Sequence, residues 1–109
     1  GWDEAERPGV QARRGADALL ALAIIHHLAI GRNVPLPDAV RWLVSLAPQG
    51  VIEFVPKTDP TVRMMLALRH DIFADYTEEA FAAALANQAS VVAARQVTAT
   101  GRKLFTYQR

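Results

Sequence analysis

Two imidazoles stand side by side at His26-His27, and paired imidazoles can hold a metal ion or pass a proton. Adjacent side chains diverge, however, by about 100° on a helix and to opposite faces on a strand. One ion cannot use both without help from elsewhere. There is no His-Glu-x-x-His pattern and no cysteine, and the remaining histidine, His70, lies far along the chain. No metal is therefore expected, and a structural pair at a strand end fits these residues better.

Glu53 is the second candidate, because it interrupts the apolar run Val51-Ile52-Glu53-Phe54-Val55. A carboxylate there is costly unless it sits at the strand's exit, is paired, or is hydrogen-bonded. Open α/β sheets bind ligands at the carboxyl ends of their strands, so Glu53 is a pocket candidate as well as a paired acid. Asp71 and Asp75 are four apart, but Asp75 just precedes a helix cap, and a local structural role is expected. Met64-Met65 reads as core filling. Arg13, Arg14, Arg102, Lys103 and Arg109 would make a basic strip if the chain ends meet; with balanced charge they read as solvated surface, and nucleic acid is not an expected partner. No glycine-rich dinucleotide fingerprint, phosphate loop or nucleophile elbow is present, so these residues alone make no active site.

The elements that must position them come from 109 residues, 51% apolar and 21% charged, with twelve Lys and Arg against eleven Asp and Glu. That is one globular unit, too hydrophobic and too evenly charged for overall disorder, and without a field to draw nucleic acid or acidic lipid. The absence of cysteine excludes a disulfide framework and thiolate chemistry, and fits a cytoplasmic setting. The longest apolar run, residues 18–30, is interrupted by both histidines and is shorter than the roughly 20 residues of a bilayer span. It also lies too far in, with no cleavage site after it, for a signal peptide.

Residues 1–15 offer little to bury and read as a flexible lead-in, leaving 16–109 as the folded unit. The run starting at Ala18 fits a strand covered on both faces, although Ala and Leu also favour helix. Pro35-Leu36-Pro37-Asp38 opens a helix whose stripe is Ala39, Val40, Leu43, Val44, Leu46 and Ala47. Residues 51–55 form a strand; Asp59-Pro60 starts a second helix, with Val62, Met65 and Leu66 inward. Thr77 followed by Glu78-Glu79 starts a third, burying Phe81, Ala84 and Leu85. Residues 90–98 and 102–108 form a hairpin turning at Gly101. Strands alternating with helices imply a mainly parallel sheet with one antiparallel member.

The string Asp17-Ala18-Leu19-Leu20-Ala21-Leu22-Ala23-Ile24-Ile25-His26-His27-Leu28 resembles the fourth strand and following motif of class I S-adenosylmethionine-dependent methyltransferases. Val51-Ile52-Glu53-Phe54-Val55-Pro56-Lys57 resembles their fifth strand. Arg69-His70-Asp71-Ile72-Phe73-Ala74-Asp75-Tyr76-Thr77 with Phe81 is similar to the segment before the last helix, and the closing hairpin to strands six and seven. Gly1-Trp2 with Glu6-Arg7-Pro8 is similar to the approach to strand four in a nodulation-protein-like bacterial subgroup.

This resemblance implies an α/β fold, a partial Rossmann-like three-layer sheet of order 4-5-7-6 with the last strand pair antiparallel. It also implies that the chain, which begins without methionine, is the carboxyl-terminal half of a methyltransferase, catalytically silent alone. The cofactor-gripping loop and the ribose-holding acid belong to the half before Gly1. The resemblance puts Ala21, Leu22, Ala23 and His26 on the S-adenosylmethionine side, and His27, Glu53 and Phe54 toward an unknown methyl acceptor. Without strand one, the strand at 19–23 keeps a long free edge, through which the fragment is expected to form a homodimer. The other reading is a non-catalytic α/β binding or oligomerisation module.

Overall fold

The computed structural model describes residues 17–68 and 73–109. In order they form β1 (Leu19–Ala21), a π-helical turn (His27–Gly31), α1 (Leu36–Ser45), β2 (Gln49–Phe54), α2 (Pro60–Ala67), α3 (Glu78–Gln88), β3 (Ser90–Gln96) and β4 (Lys103–Gln108). The expected lead-in, the basic residues Arg13 and Arg14, and Arg69, His70, Asp71 and Ile72 lie outside the described residues.

Helix starts follow the local chemistry. Prolines at 35 and 37 and Asp38 open α1, whose buried stripe is Leu36, Ala39, Val40, Leu43 and Val44. The Asp59 carboxylate accepts from the Thr61 amide at the head of α2, and the Thr77 hydroxyl accepts from the Ala80 amide at the head of α3. The last two strands are joined through residues 97–102, with Gly101 at φ +100°, a conformation that costs glycine little.

The sheet order is β1-β2-β4-β3, with β1 parallel to β2 and β4 antiparallel to both of its neighbours. Relabelled as strands four to seven, this is the expected order 4-5-7-6. Leu19, Ala21, Ile52, Phe54, Phe105 and Tyr107 face α1 and α3 and are buried. The Phe81 ring of α3 lies 5.2 Å from Phe54 and 5.0 Å from Phe105, and the Tyr107 hydroxyl donates to the Ala47 carbonyl at 2.9 Å. Burial of these rings is the main apolar tie between helices and sheet.

Three expectations are corrected. The first strand is not the length of its apolar run: it stops at Ala21, and helical structure begins by Ile25. Ala23 takes φ +56°, which breaks the extended chain, and its amide is taken by Glu53 rather than by a neighbouring strand. Nor is that strand covered on both faces among the described residues: Leu20 is 40% exposed, and Val51, Leu104 and Thr106 beside it are half-buried. Met64, expected in the core, is 70% exposed on the outer side of α2, while Met65 packs inward beside Gly31. Among the described residues no helix is long and apolar enough to cross a membrane.

Gly50 marks the tightest approach of β1 to β2, since a Cβ there would lie 2.4 Å from the Leu19 carbonyl oxygen and 2.7 Å from the Leu19 Cβ. Both strands must part to admit it. Gly50→Ala is expected to lower stability by about 1–3 kcal/mol in urea unfolding; an unchanged midpoint would contradict the packing described.

Candidate functional site

The carboxyl ends of β1 and β2 meet the start of β4 because β4 runs antiparallel to β2. Its register sets Lys103 opposite Phe54, so Arg102 falls just past the strand end on the side of Glu53. Ala23, Glu53, Asp59, Thr100 and Arg102 converge there.

Glu53 is 8% exposed on the face turned away from α3. Its Oε1 accepts the Ala23 amide at 2.8 Å and lies 3.7 Å from the Arg102 guanidinium. The sequence left Glu53 either a pocket acid or a paired one. Here it is paired at the strand's exit, and its bond holds Ala23 in a backbone conformation that costs a non-glycine residue roughly 1–2 kcal/mol.

Asp59, 3% exposed, receives Arg102 on both oxygens, with Nε to Oδ2 at 2.8 Å and Nη2 to Oδ1 at 3.2 Å. The Thr100 hydroxyl adds a bond at 2.8 Å and the Thr61 amide one at 3.0 Å. The guanidinium bond, with those of Thr61 and Thr100, holds the Asp59 carboxyl far below the usual carboxylate range against the opposing effect of burial. The same bond raises the pKa of Arg102. One carboxylate thus caps α2, anchors the hairpin turn and neutralises the arginine.

His26 is 1% exposed, with its ring 4.2 Å from that of His27, centre to centre. Its Nδ1 has no hydrogen-bond partner among the described residues. Burial, aided by the positive charges of His27 and Arg102 and opposed by Asp59, pushes its pKa down from 6.5 to about 4. His26 therefore stays neutral. Among the described residues no group of three or more His, Cys, Asp and Glu is arranged to hold a metal.

The other sequence candidates separate. Leu22 and Ala23 keep surface at the exit of β1, whereas Ala21 has none. His27 is exposed on the π-helical turn, and Phe54 is closed into the core beside Tyr76 and Phe81. Arg102 and Lys103 pair with Asp59 and Glu78 respectively, so of the described members of the basic strip only Arg109 has no ion pair among the described residues. Asp75 has the local role expected of it in part, its carbonyl accepting the Thr77 amide at 3.0 Å. The Asp59–Arg102 link was not read from sequence, although antiparallel pairing of β2 with β4 would by itself have brought the two loops together.

Also missed was a cavity of about 410 Å³ between the starts of α1 and α3, flanked by Val34, Leu36, Phe73 and Tyr76. Burial raises the pKa of Tyr76, and its hydroxyl donates to the Val55 carbonyl, which leaves only the ring to face the cavity.

No family model and no solved structure matches this sequence. It is 56% identical over all 109 residues to the nodulation protein NoeA of Rhizobium meliloti (strain 1021), and it spans 23% of that protein's length.

Two outcomes follow from the corner's electrostatics. Arg102→Met strands the buried Asp59 charge and is expected to cost about 2–3 kcal/mol in urea unfolding, between the exposed and fully buried limits for an ion pair. A loss below about 0.5 kcal/mol would mean the pair holds nothing. The second concerns acid. Unfolding lets His26 regain its ordinary pKa, so the unfolded chain binds more protons between pH 6.5 and about 4. Stability is complete above pH 6.5 and declines below it by up to about 1.4 kcal/mol per pH unit. Asp59 adds a further loss as pH falls below its ordinary 3.8. His26→Leu should flatten the decline between pH 6.5 and 4; an identical slope in that variant would refute the assignment.

Proposed function

We propose that these residues form the carboxyl-terminal half of a class I S-adenosylmethionine-dependent methyltransferase domain, within a longer NoeA-like protein that acts in nodulation. The observation that carries this reading is the sheet, β1-β2-β4-β3 with β4 reversed, together with a polar corner at the carboxyl ends where such sheets bind ligands. The likeness to NoeA supports the nodulation role and the greater length of the whole protein.

S-adenosylmethionine, when bound, supplies a methyl group activated on a sulfonium. The residues here fit that group as one wall rather than as a grip. Leu22 and Ala23 present the accessible surface, and Ala21 and His26 stand behind it. Glu53 fixes the wall through the Ala23 amide, and the Asp59–Arg102 pair fixes Glu53. His27 is the residue of the acceptor-side set with a free face, while Phe54 positions the strand from the core. Such a wall serves methyl transfer by placement, with no general base required of it. Donor and acceptor would be held jointly with the segment before Gly1, and the 109 residues alone are silent.

A second reading, an α/β interaction module, draws support from the open sheet face, where Leu20 at the β1 edge is 40% exposed and Val51, Leu104 and Thr106 are half-buried. Parallel strands are ordinarily covered on both faces. Homodimer formation across that edge belongs to this reading, though the edge is three residues long rather than the five expected.

Calorimetric titration with S-adenosylhomocysteine tests the first reading. A polypeptide that joins this segment to the sequence before Gly1 is expected to bind. Ala23→Gly should retain that affinity and Ala23→Val should weaken it at least five-fold, because a β-branched residue resists φ near +56°. Absence of binding by the longer polypeptide would end the methyltransferase reading.

A further inference from the structure

The cavity between the starts of α1 and α3 lies at the ligand-binding end of the sheet for a topological reason. The first helix returns the chain from the end of β1 to the start of β2, and α3 returns it to the start of β3, which runs parallel to β2. Both helices therefore begin beside the carboxyl ends of the strands.

Its walls are preformed. Pro35 and Pro37 restrict the backbone on one side, and Leu36, Phe73 and Tyr76 are each less than a tenth exposed. A volume of about 410 Å³ is at the small end of ligand pockets. At ~30 Å³ for each water-sized group it admits roughly 12–14 non-hydrogen atoms, one fused ring pair with a short arm.

The described lining carries one charged side chain, that of Asp75. Asn33, held at φ +57°, and Asp75 are the polar residues of the described lining besides Tyr76, whose hydroxyl is bonded to Val55. Among the described residues no lysine, arginine or histidine is part of the lining, so a phosphate or carboxylate would meet the Asp75 charge with only the neutral Asn33 amide to offset it. An amine meets the reverse: an apolar wall for its ring, an aromatic face at Tyr76, and a carboxylate and an amide oxygen for its ammonium.

We propose that this cavity is a binding site for a small aromatic amine, one or two rings bearing a protonated nitrogen on a short arm. On the methyltransferase reading its occupant is the ring body of the acceptor. The site is argued from its own walls, however, and its test uses no methyl donor, so either can fail without the other.

Three probes of one shape settle it on the 109-residue chain: 2-(2-naphthyl)ethylamine, 2-naphthylacetate and 2-ethylnaphthalene, followed by amide chemical shifts of ¹⁵N-labelled protein. The amine should shift Val34, Leu36, Phe73 and Tyr76 in a saturable way and bind at least five-fold more tightly than the acetate, with the uncharged compound between them. Asp75 is exposed, so Asp75→Asn should keep the fold by circular dichroism and reduce the difference between amine and acetate to two-fold or less. Ala80→Phe, which fills the cavity from α3, should abolish all three. Equal binding of amine and acetate, shifts centred elsewhere, or no saturation by the amine at its solubility limit would overturn the proposal.

Discussion

The buried carboxylate of Asp59 is the group on which the carboxyl edge of this sheet depends. A charge 3% exposed is tolerable only when its oxygens are filled, and here they are filled by the Thr61 amide at the head of α2, the Thr100 hydroxyl of the hairpin turn and the Arg102 guanidinium. Because the same arginine reaches Glu53, and Glu53 holds the Ala23 amide, four separate stretches of chain are tied at one corner. Thr58 adds a bond from the α2 loop to the Thr100 carbonyl at 2.8 Å. Removal of any member leaves another with an unmet charge or donor, so the corner behaves as a unit.

The apolar half of the fold is organised around a different row. Phe54 lies between the rings of Tyr76 and Phe81, and Phe81 meets Phe105 edge-on, so aromatic contacts run from the loop before α3 through the helix into the sheet. Tyr107 adds a hydrogen bond to the end of α1. The two helices and one sheet face form a dry layer. The opposite face, with Leu20, Val51, Leu104 and Thr106, stays half-open, and its one deeply buried acid, Glu53, is at the edge where Arg102 can reach it. On the helix side of β2 the packing is apolar, with the Lys103–Glu78 pair at its rim, while the buried acid Glu53 is on the other side.

That division explains which candidate residues were readable. Glu53 stood out because it broke an apolar run, and the alternatives named for it, strand exit, ion pair or hydrogen bond, all hold together. His26 and His27 stood out by chemistry, yet their fates differ by one position: one ring is enclosed and the other exposed. The expected divergence at a strand end did not occur: both residues lie in a helical turn with their rings 4.2 Å apart, and only burial separates them. Arg102 was grouped with the terminal basic residues because its partner is 43 positions away. Phe73, Asn33 and Asp75 drew no attention as a set, since a cavity has no sequence pattern of its own.

What the sequence alone determined is local: the starts of α2 and α3 at Asp59 and Thr77, the proline-marked start of α1, its buried stripe, and the hairpin at Gly101. Caps, stripes and turns are decided by residues within about one turn of each other, where side chain and backbone compete directly. Tertiary structure alone decided where β1 stopped, which face of the sheet was left open, and that an arginine in a hairpin would neutralise a helix cap. Those outcomes depend on which strand end lies beside which. Only the order β1-β2-β4-β3, with β4 reversed, brings the exit of β2 against the entry of β4.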